Sequence, residues 1–202
     1  EEDVVYLSMR RTINGAVVRY VERMHERFCA RLEDAFHVDC GGIYQGAATK
    51  TISGLTWLEG QKVSIFANGC VLPQQTVVNG TITLSQPSTK VFVGLPITAD
   101  FQTLPASVQL QDGSYGIGHS KNINDVYLRV VKSSGVFIGP DFENLVEAKQ
   151  RTSEPYGSPP DWMEKEISIM PYCAWNDAGQ ICVRQVDPLP LTIVSVAVDL
   201  AQ

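Results

Sequence analysis

Residues with the chemistry for catalysis are scattered along the chain, and few of them occur at productive spacing. The stretch "HVDC" at 37–40 places an imidazole, a carboxylate and a thiol within four positions, which are the parts of a Cys–His nucleophile. On a strand, however, His37 and Asp39 share one face while Cys40 points to the other. We therefore interpret this stretch as the end of a strand with a buried cysteine.

Two further patterns resemble motifs of catalytic sites. Asp141 with Glu143, and Glu164 with Glu166, are paired carboxylates that could serve glycoside hydrolysis if they flanked a cleft. The stretch "GSYGIGHSK" at 113–121 is glycine-rich like a phosphate loop, but the required Gly-x-x-x-x-Gly-Lys-Ser/Thr spacing fails. The second pattern predicts a surface turn. Neither pattern predicts an enzyme.

Histidines and cysteines show no metal-ligand spacing. None of the three histidines forms a His-x-x-x-His pair, and the five cysteines contain no Cys-x-x-Cys pair. The odd number of cysteines fits reduced, mostly buried thiols better than a disulfide framework, although Cys173 and Cys182 could pair across a hairpin. We expect no metal site and no cofactor.

The tryptophans are the strongest candidates for binding. Trp57, Trp162 and Trp175 could stack on sugar rings if they are exposed, so they are possible contacts for a glycan or a partner. The alternative is that they anchor a core or an interface. A carbohydrate- or receptor-binding β module is therefore one functional hypothesis.

Composition sets the broad class of the protein. The chain has 202 residues, of which 44% are hydrophobic and 19% charged, which is typical of a globular protein with a real core. No apolar run approaches the roughly 20 residues of a membrane span. The net charge of −6 weighs against electrostatic binding of nucleic acid, which needs clustered lysines and arginines.

Period-two alternation dominates the elements that position these residues. It is typical of half-buried strands, and three Asn-Gly pairs at 14–15, 68–69 and 79–80 predict two-residue hairpin turns. Helix is scarce: "DFENLVEAK" at 141–149 predicts one or two turns with Asp141 as N-cap, and residues 22–34 a turn or two of helix or a continuing strand. The fold class is all-β, an antiparallel sandwich or barrel-like domain.

Two glycine-rich stretches mark domain boundaries. Residues 41–54 and 104–122 enclose a block the size of a small barrel. The predicted domains are a discontinuous β domain of 1–50 plus 112–202 and an inserted barrel-like domain of 51–111. The stretches 41–54, 113–122 and 151–163 are predicted to be loops that contact partners.

The strings themselves resemble a known family. "RRTINGAVVRYVERM", "HVDCGGIY", "ISGLTWLEGQKVSIFANGCV" and "VVNGTITLSQPSTKVFVGLP" are similar to the C-terminal portion of podovirus-type phage tail nozzle proteins, also called tail tubular protein B. The shared pattern is Gly-Leu-x-x-Leu-Glu-Gly-x-x-Val at 54–63, the two Asn-Gly turns at 68 and 79, and Val-Gly-Leu-Pro at 93–96. The likeness continues through "INDVYLRVVKSSGVFIG", "RTSEPYGSPP" and "QICVRQVDPLPLTIVSVAVDL", which is nearly the whole chain.

This resemblance implies a non-enzymatic virion protein. In the family, six copies form a ring at the distal end of a short tail, contact other tail proteins and continue the channel through which DNA leaves without specific binding. The expected location is the virion, and the host cytoplasm during assembly. Because the chain starts at Glu1 within a hairpin, we expect a larger N-terminal portion to precede it. An acidic channel lining would suit DNA conduction, since basic contacts would hold the duplex.

Overall fold

The computed structural model describes residues 3–26, 28–107, 116, 118–149, 154–155 and 158–201. Over these residues the chain forms thirteen β-strands and two short 3₁₀ turns, Leu32–Asp34 and Thr56–Leu58, with no α-helix. It divides into two compact units: Glu1–Ile97 with Glu154–Pro160, and Thr98–Ser153 with Asp161–Gln202. All paired strands are antiparallel. The prediction of an all-β protein is confirmed.

The first unit contains a separate hairpin and a four-stranded sheet. Its strands are β1 (Tyr6–Ile13), β2 (Ala16–Arg23), β3 (Asp39–Ile52), β4 (Lys62–Ala67), β5 (Cys70–Thr76) and β6 (Ile82–Leu95). Strands β1 and β2 pair only with each other in the described residues, and the larger sheet has the order β3-β6-β4-β5. Within the described residues the hairpin is therefore not hydrogen-bonded into the larger sheet.

All three predicted Asn-Gly turns are present in this unit. The six residues at 14–15, 68–69 and 79–80 have φ between 46° and 82°, the left-handed conformation that a type I′ turn requires at both central positions. Asn68 also anchors its turn, because its Oδ1 accepts hydrogen bonds from the backbone N–H groups of Thr89 and Lys90. The Asn-Gly pairs thus mark the positions of all three turns.

Apolar side chains of the larger sheet and of the segments that connect its strands form the core of the first unit. Strand β4 is buried from Val63 to Ala67, and the Phe66 ring stacks on Phe92 with centroids 6.1 Å apart. The core residues are Ile52, Leu55, Leu58, Val63, Ile65, Ala67, Val77, Ile82, Leu84, Val91 and Val93.

The second unit contains two small sheets. Its strands are β7 (Ala99–Gln102), β8 (Asn122–Val130), β9 (Phe137–Gly139), β10 (Val146–Glu147), β11 (Glu166–Ile169), β12 (Cys182–Gln185) and β13 (Ile193–Ala201). The sheet orders are β10-β9-β12-β7 and β11-β8-β13. Their shared core consists of Ile123, Val126, Leu128, Val130, Val136, Ile138, Ala148, Met163, Ile167, Ile169, Ile181 and Val183.

Several predicted details differ from the structure. Residues 41–54 were expected to be a loop, but most of them belong to β3, which pairs with β6. The predicted domain boundary at 50–51 falls inside β3, and the boundary at 111–112 lies outside the described residues. The expected helix at 141–149 is wrong, because 146–147 pairs as β10 with β9. The described sheets have open strand orders, so none closes into a barrel.

Candidate functional site

Trp57 serves as a structural anchor within the first unit. Its indole Nε1 donates a hydrogen bond to the backbone carbonyl of Cys40 at 2.9 Å, and the side chain is half-buried. The ring packs on Gly42, where a Cβ atom would lie 3.0 Å from a ring carbon. Its polar edge and its face are therefore both occupied by the protein.

The other two predicted tryptophans belong to the second unit and differ in exposure. Trp162 is half-buried and has the ammonium group of Lys132 5.4 Å from its ring centroid, a cation–π distance. Trp175 is 56% exposed. Trp175 is thus the candidate whose ring is most available to a ligand.

The second unit contains a cleft of about 550 Å³ that is formed by two loops. Trp175 does not line it, although Ala174 and Asn176 on either side in the sequence do. The lining residues are Pro140, Asp141, Asn144, Leu145, Val146, Pro171, Tyr172, Ala174 and Asn176. Polar amides, a carboxylate and an aromatic ring therefore surround one volume of ligand size.

Asp141 shapes the first of these two loops. Its Oδ1 accepts hydrogen bonds from the backbone N–H groups of Glu143 and Asn144, both at 2.8 Å. The side-chain amide of Asn144 donates to both carboxylate oxygens at 3.0 and 2.9 Å. These bonds, with the Asn144 amide first, lower the pKa of Asp141 below its ordinary value. The carboxylate is ionised at neutral pH and is committed to the turn.

The same loop is fastened to the strands beneath it. The carbonyl of Asn144 packs directly on Gly139, where a Cβ atom would lie 1.9 Å from that oxygen. Arg184 donates from Nη1 to the carbonyl of Phe142 at 3.3 Å, and its guanidinium lies 4.7 Å from the Phe142 ring centroid. Arg184 is itself held by two hydrogen bonds to Asp100 at 2.7 and 2.8 Å. The loop is therefore preorganised.

The predicted pair of Glu164 and Glu166 lies elsewhere. Both side chains are exposed, and neither lines the cleft. Asp141 contributes to the cleft, whereas Glu143 is exposed on the same loop. The structure thus brings one of the four predicted carboxylates to the cleft and does not assemble either pair across it.

The stretch "HVDC" does not form a nucleophile. Asp39 accepts two hydrogen bonds from Arg11 at 2.7 Å and one from the backbone N–H of Cys40 at 2.9 Å. Burial, followed by the nearby charge of Glu22, raises the pKa of Cys40 to about 11. The group is a neutral thiol at physiological pH, whereas a nucleophilic cysteine needs a lowered pKa.

Lys121, at the end of "GSYGIGHSK", has a different role from the one its sequence context suggested. It was expected in a surface turn, but its side chain is fully buried. Its Nζ donates hydrogen bonds to the backbone carbonyls of His119 and Asp177, both at 2.9 Å. Residues 113–115 and 117 of this stretch lie outside the described residues, as do 151–153 and 156–157 of the other predicted loop.

The hairpin of β1 and β2 has one inward face and one outward face. On the inward face Arg11 makes two hydrogen bonds to Glu22, at 2.5 and 2.7 Å, and two to Asp39. On the outward face Arg10 lies directly opposite Arg19 in the strand register. All eight outward residues are exposed: Tyr6, Ser8, Arg10, Thr12, Val17, Arg19, Val21 and Arg23.

Sequence reasoning missed both the outward face and the loop fastening around Arg184. A period-two pattern shows that two faces exist, but not which one is covered. The contact between Arg184 and Phe142 joins residues 42 positions apart, so no local sequence pattern predicts it.

The remaining chemistry of the described residues is simple. Cys173 and Cys182 are both free thiols, so they are not paired with each other. The described residues contain no group of three or more potential metal ligands, and no helix among them is long and apolar enough to cross a membrane. No protein-family model and no curated protein sequence matches this chain.

Proposed function

We propose that this chain is a structural subunit of a phage tail, part of the short nozzle that forms a ring-shaped channel for DNA exit and a platform for other tail proteins. Its role is assembly, without catalysis. The proposal starts from the sequence resemblance, which covers nearly the whole chain. The structural observation that supports it is the exposed outward face of the β1–β2 hairpin.

The chemistry of this face suits a protein contact. Tyr6, Val17 and Val21 are 65%, 56% and 76% exposed, and they lie among arginines. Tyrosine and arginine are enriched in protein interfaces, and large apolar side chains gain free energy when a partner removes them from water. A face of this composition therefore has a lower free energy when another subunit covers it than when it is exposed to solvent.

The charges on the face favour an acidic neighbour. Arg10 and Arg19 are directly opposed, and like charges at opposed positions destabilise a strand pair. The chain as a whole carries a net charge of −6, so a second copy has more carboxylates than basic groups. Docking of this face on a neighbouring copy would relieve the repulsion. A head-to-tail contact of this kind forms a closed ring when the rotations that relate successive copies add up to a full turn.

This arrangement also keeps the basic face off the DNA. If these arginines lined the channel, they would retain the duplex through counterion release. In the proposed ring the hairpin face therefore contacts a neighbouring subunit or another tail protein, and acidic surface faces the channel. The finding of a basic channel lining in an assembled ring would contradict this part of the proposal.

The location can be tested on particles. Antibodies raised against this chain should label the distal end of the short tail in immunogold electron microscopy of purified virions. Virions with no label on the tail would refute the proposed function.

The contact can be tested with charged variants of the full-length protein. Val17→Asp combined with Val21→Asp should abolish rings seen by negative-stain electron microscopy, because two carboxylates would enter the contact. Val78→Asp is the matched control, since Val78 is 57% exposed at a different turn of the same unit. Rings that survive the double substitution, or that are lost equally in the control, would exclude the hairpin as the interface.

A further inference from the structure

We propose that the cleft between the loops 140–146 and 171–176 binds a neutral saccharide unit, with Tyr172 as the stacking residue and Asp141 and Asn144 as the polar contacts. The site goes beyond the tail function proposed above and does not depend on it, because all of its residues belong to the second unit. The volume of about 550 Å³ lies within the range of small-ligand sites, about 300–1,000 Å³.

The aromatic residue that lines the cleft, Tyr172, has an unusual backbone conformation. Its side chain is 77% exposed. Its φ of +53° is a conformation that a bulky residue rarely adopts. Such backbone outliers persist only where the surrounding structure imposes them, and they cluster at binding sites. The apolar face of a sugar ring is a suitable partner for an amphipathic aromatic side chain with one wet edge.

The polar residues offer acceptors for sugar hydroxyl groups. Asp141 Oδ2 accepts one hydrogen bond, from Asn144, and therefore retains acceptor capacity. The side-chain oxygen of Asn144 accepts no hydrogen bond within the described part of the chain. Because the loop is fastened by Gly139 and by Arg184, these acceptors are already in place before a ligand arrives. Preorganisation of this kind reduces the entropic cost of binding.

Other ligand classes fit the cleft less well. An anion would be repelled by the ionised Asp141. A metal ion would have to compete with the four N–H donors that already bond to that carboxylate, and the described residues contain no cluster of further ligands. A quaternary ammonium group is the main competitor, since aromatic rings and a carboxylate can bind it. The side-chain oxygen of Asn144 at the cleft favours a hydroxylated ligand instead.

The test uses the full chain and defined probes. Saturation-transfer NMR is recorded with the methyl glycosides of glucose, galactose, mannose, rhamnose and N-acetylglucosamine, and in parallel with choline. At least one glycoside should receive saturation on its ring protons. Tyr172→Gly should weaken its binding about five- to tenfold, in line with the loss of one aromatic contact.

The backbone of Tyr172 and a matched control keep the result interpretable. Tyr172→Gly removes the ring but suits the positive φ, so this variant should fold at least as stably as the wild type. Trp175→Ala is the matched control, because it removes an exposed aromatic residue of the same unit that does not line the cleft, and it should bind normally. The proposal is overturned if no glycoside binds, if choline alone binds, or if Trp175→Ala weakens glycoside binding as much as Tyr172→Gly.

Discussion

Arg11 is the residue that ties the β1–β2 hairpin to β3. Its guanidinium forms one two-bonded fork with Glu22, at 2.5 and 2.7 Å, and another with Asp39, with both bonds at 2.7 Å. Arg11→Met keeps most of the apolar stem but removes all four hydrogen bonds. It also leaves the two carboxylates facing each other without a counterion. We expect this substitution to loosen the hairpin from the rest of its unit.

The magnitude follows from the exposure of the three side chains. Removal of one partner from a fully buried ion pair costs about 3–5 kcal/mol. Arg11 and Glu22 are 13% and 19% exposed, so their pair keeps part of that value. Asp39 is 44% exposed, and solvent screening makes its contribution small. We expect a loss of about 2 kcal/mol in unfolding free energy, which corresponds to a fall of about 10 °C in Tm for a unit of this size.

The loss should depend on pH. The hydrogen bonds from Arg11 are the main cause that lowers the pKa of Glu22 below its ordinary value in the folded protein. A carboxylate with a lowered pKa contributes stability above its unfolded pKa, about 4.3, and that stability disappears as the pH falls through the folded pKa. The difference between Arg11→Met and the wild type should therefore be largest at pH 7 and should shrink at pH 4 and below.

Hydrogen exchange with mass spectrometry can measure the loss of stability in the first unit alone, because peptides from residues 6–23 report on the hairpin separately. The control is Arg10→Met, which changes the neighbouring residue on the exposed face. That substitution removes the repulsion with Arg19, so it should change stability by less than about 0.5 kcal/mol or increase it slightly. Equal effects of the two substitutions, or an Arg11→Met effect that does not shrink in acid, would refute the reasoning.

Three further predictions concern single sites. Lys121→Met should lower the unfolding free energy by about 2 kcal/mol, since two hydrogen bonds from a buried ammonium group to backbone carbonyls are lost; an unchanged Tm in calorimetry would contradict this. Gly139→Ala should cost about 3 kcal/mol, because the new Cβ would lie 1.9 Å from the carbonyl oxygen of Asn144; wild-type hydrogen-exchange protection of β9 would be the opposing result. Cys40, with its pKa raised to about 11, should react with iodoacetamide at pH 8 on the order of 100-fold more slowly than in urea; similar rates by peptide mass spectrometry would show that the thiol is not shielded.

Local chemistry made the hairpins predictable, and non-local pairing made β3 unpredictable. The Asn-Gly turns need only two residues and their neighbours. Residues 41–54 contain small residues that predicted a loop, yet β6 pairs with this segment and supplies the partner that a strand needs. Gly42 is there because of the adjacent Trp57 ring, so it serves close packing instead of flexibility.

The cleft was only partly accessible to sequence reasoning for the same reason. Asp141 was predicted as a helix N-cap, and it does accept the backbone N–H groups two and three positions ahead, as an N-cap would. The helix does not follow, because Val146 and Glu147 pair with β9. Tyr172, the aromatic residue that lines the cleft, was not predicted, and none of the three candidate tryptophans lines it, because the two loops that form the cleft are far apart in the sequence.

The contrast between Arg10 and Arg11 bears directly on how the net charge should be interpreted. The two residues are adjacent, but Arg11 is neutralised by two carboxylates while Arg10 faces Arg19 on an exposed surface. A chain with a net charge of −6 therefore carries a basic face. An acidic net charge supports DNA conduction only if this face is turned away from the channel. If this face lined the channel, Arg10→Glu should speed DNA ejection from virions at low salt. The difference in ejection rate from the wild type should fade at higher salt, because dissolved cations take the place of the arginines on the DNA phosphates. In the proposed ring the face is covered by a neighbouring subunit, so Arg10→Glu should instead impair ring assembly.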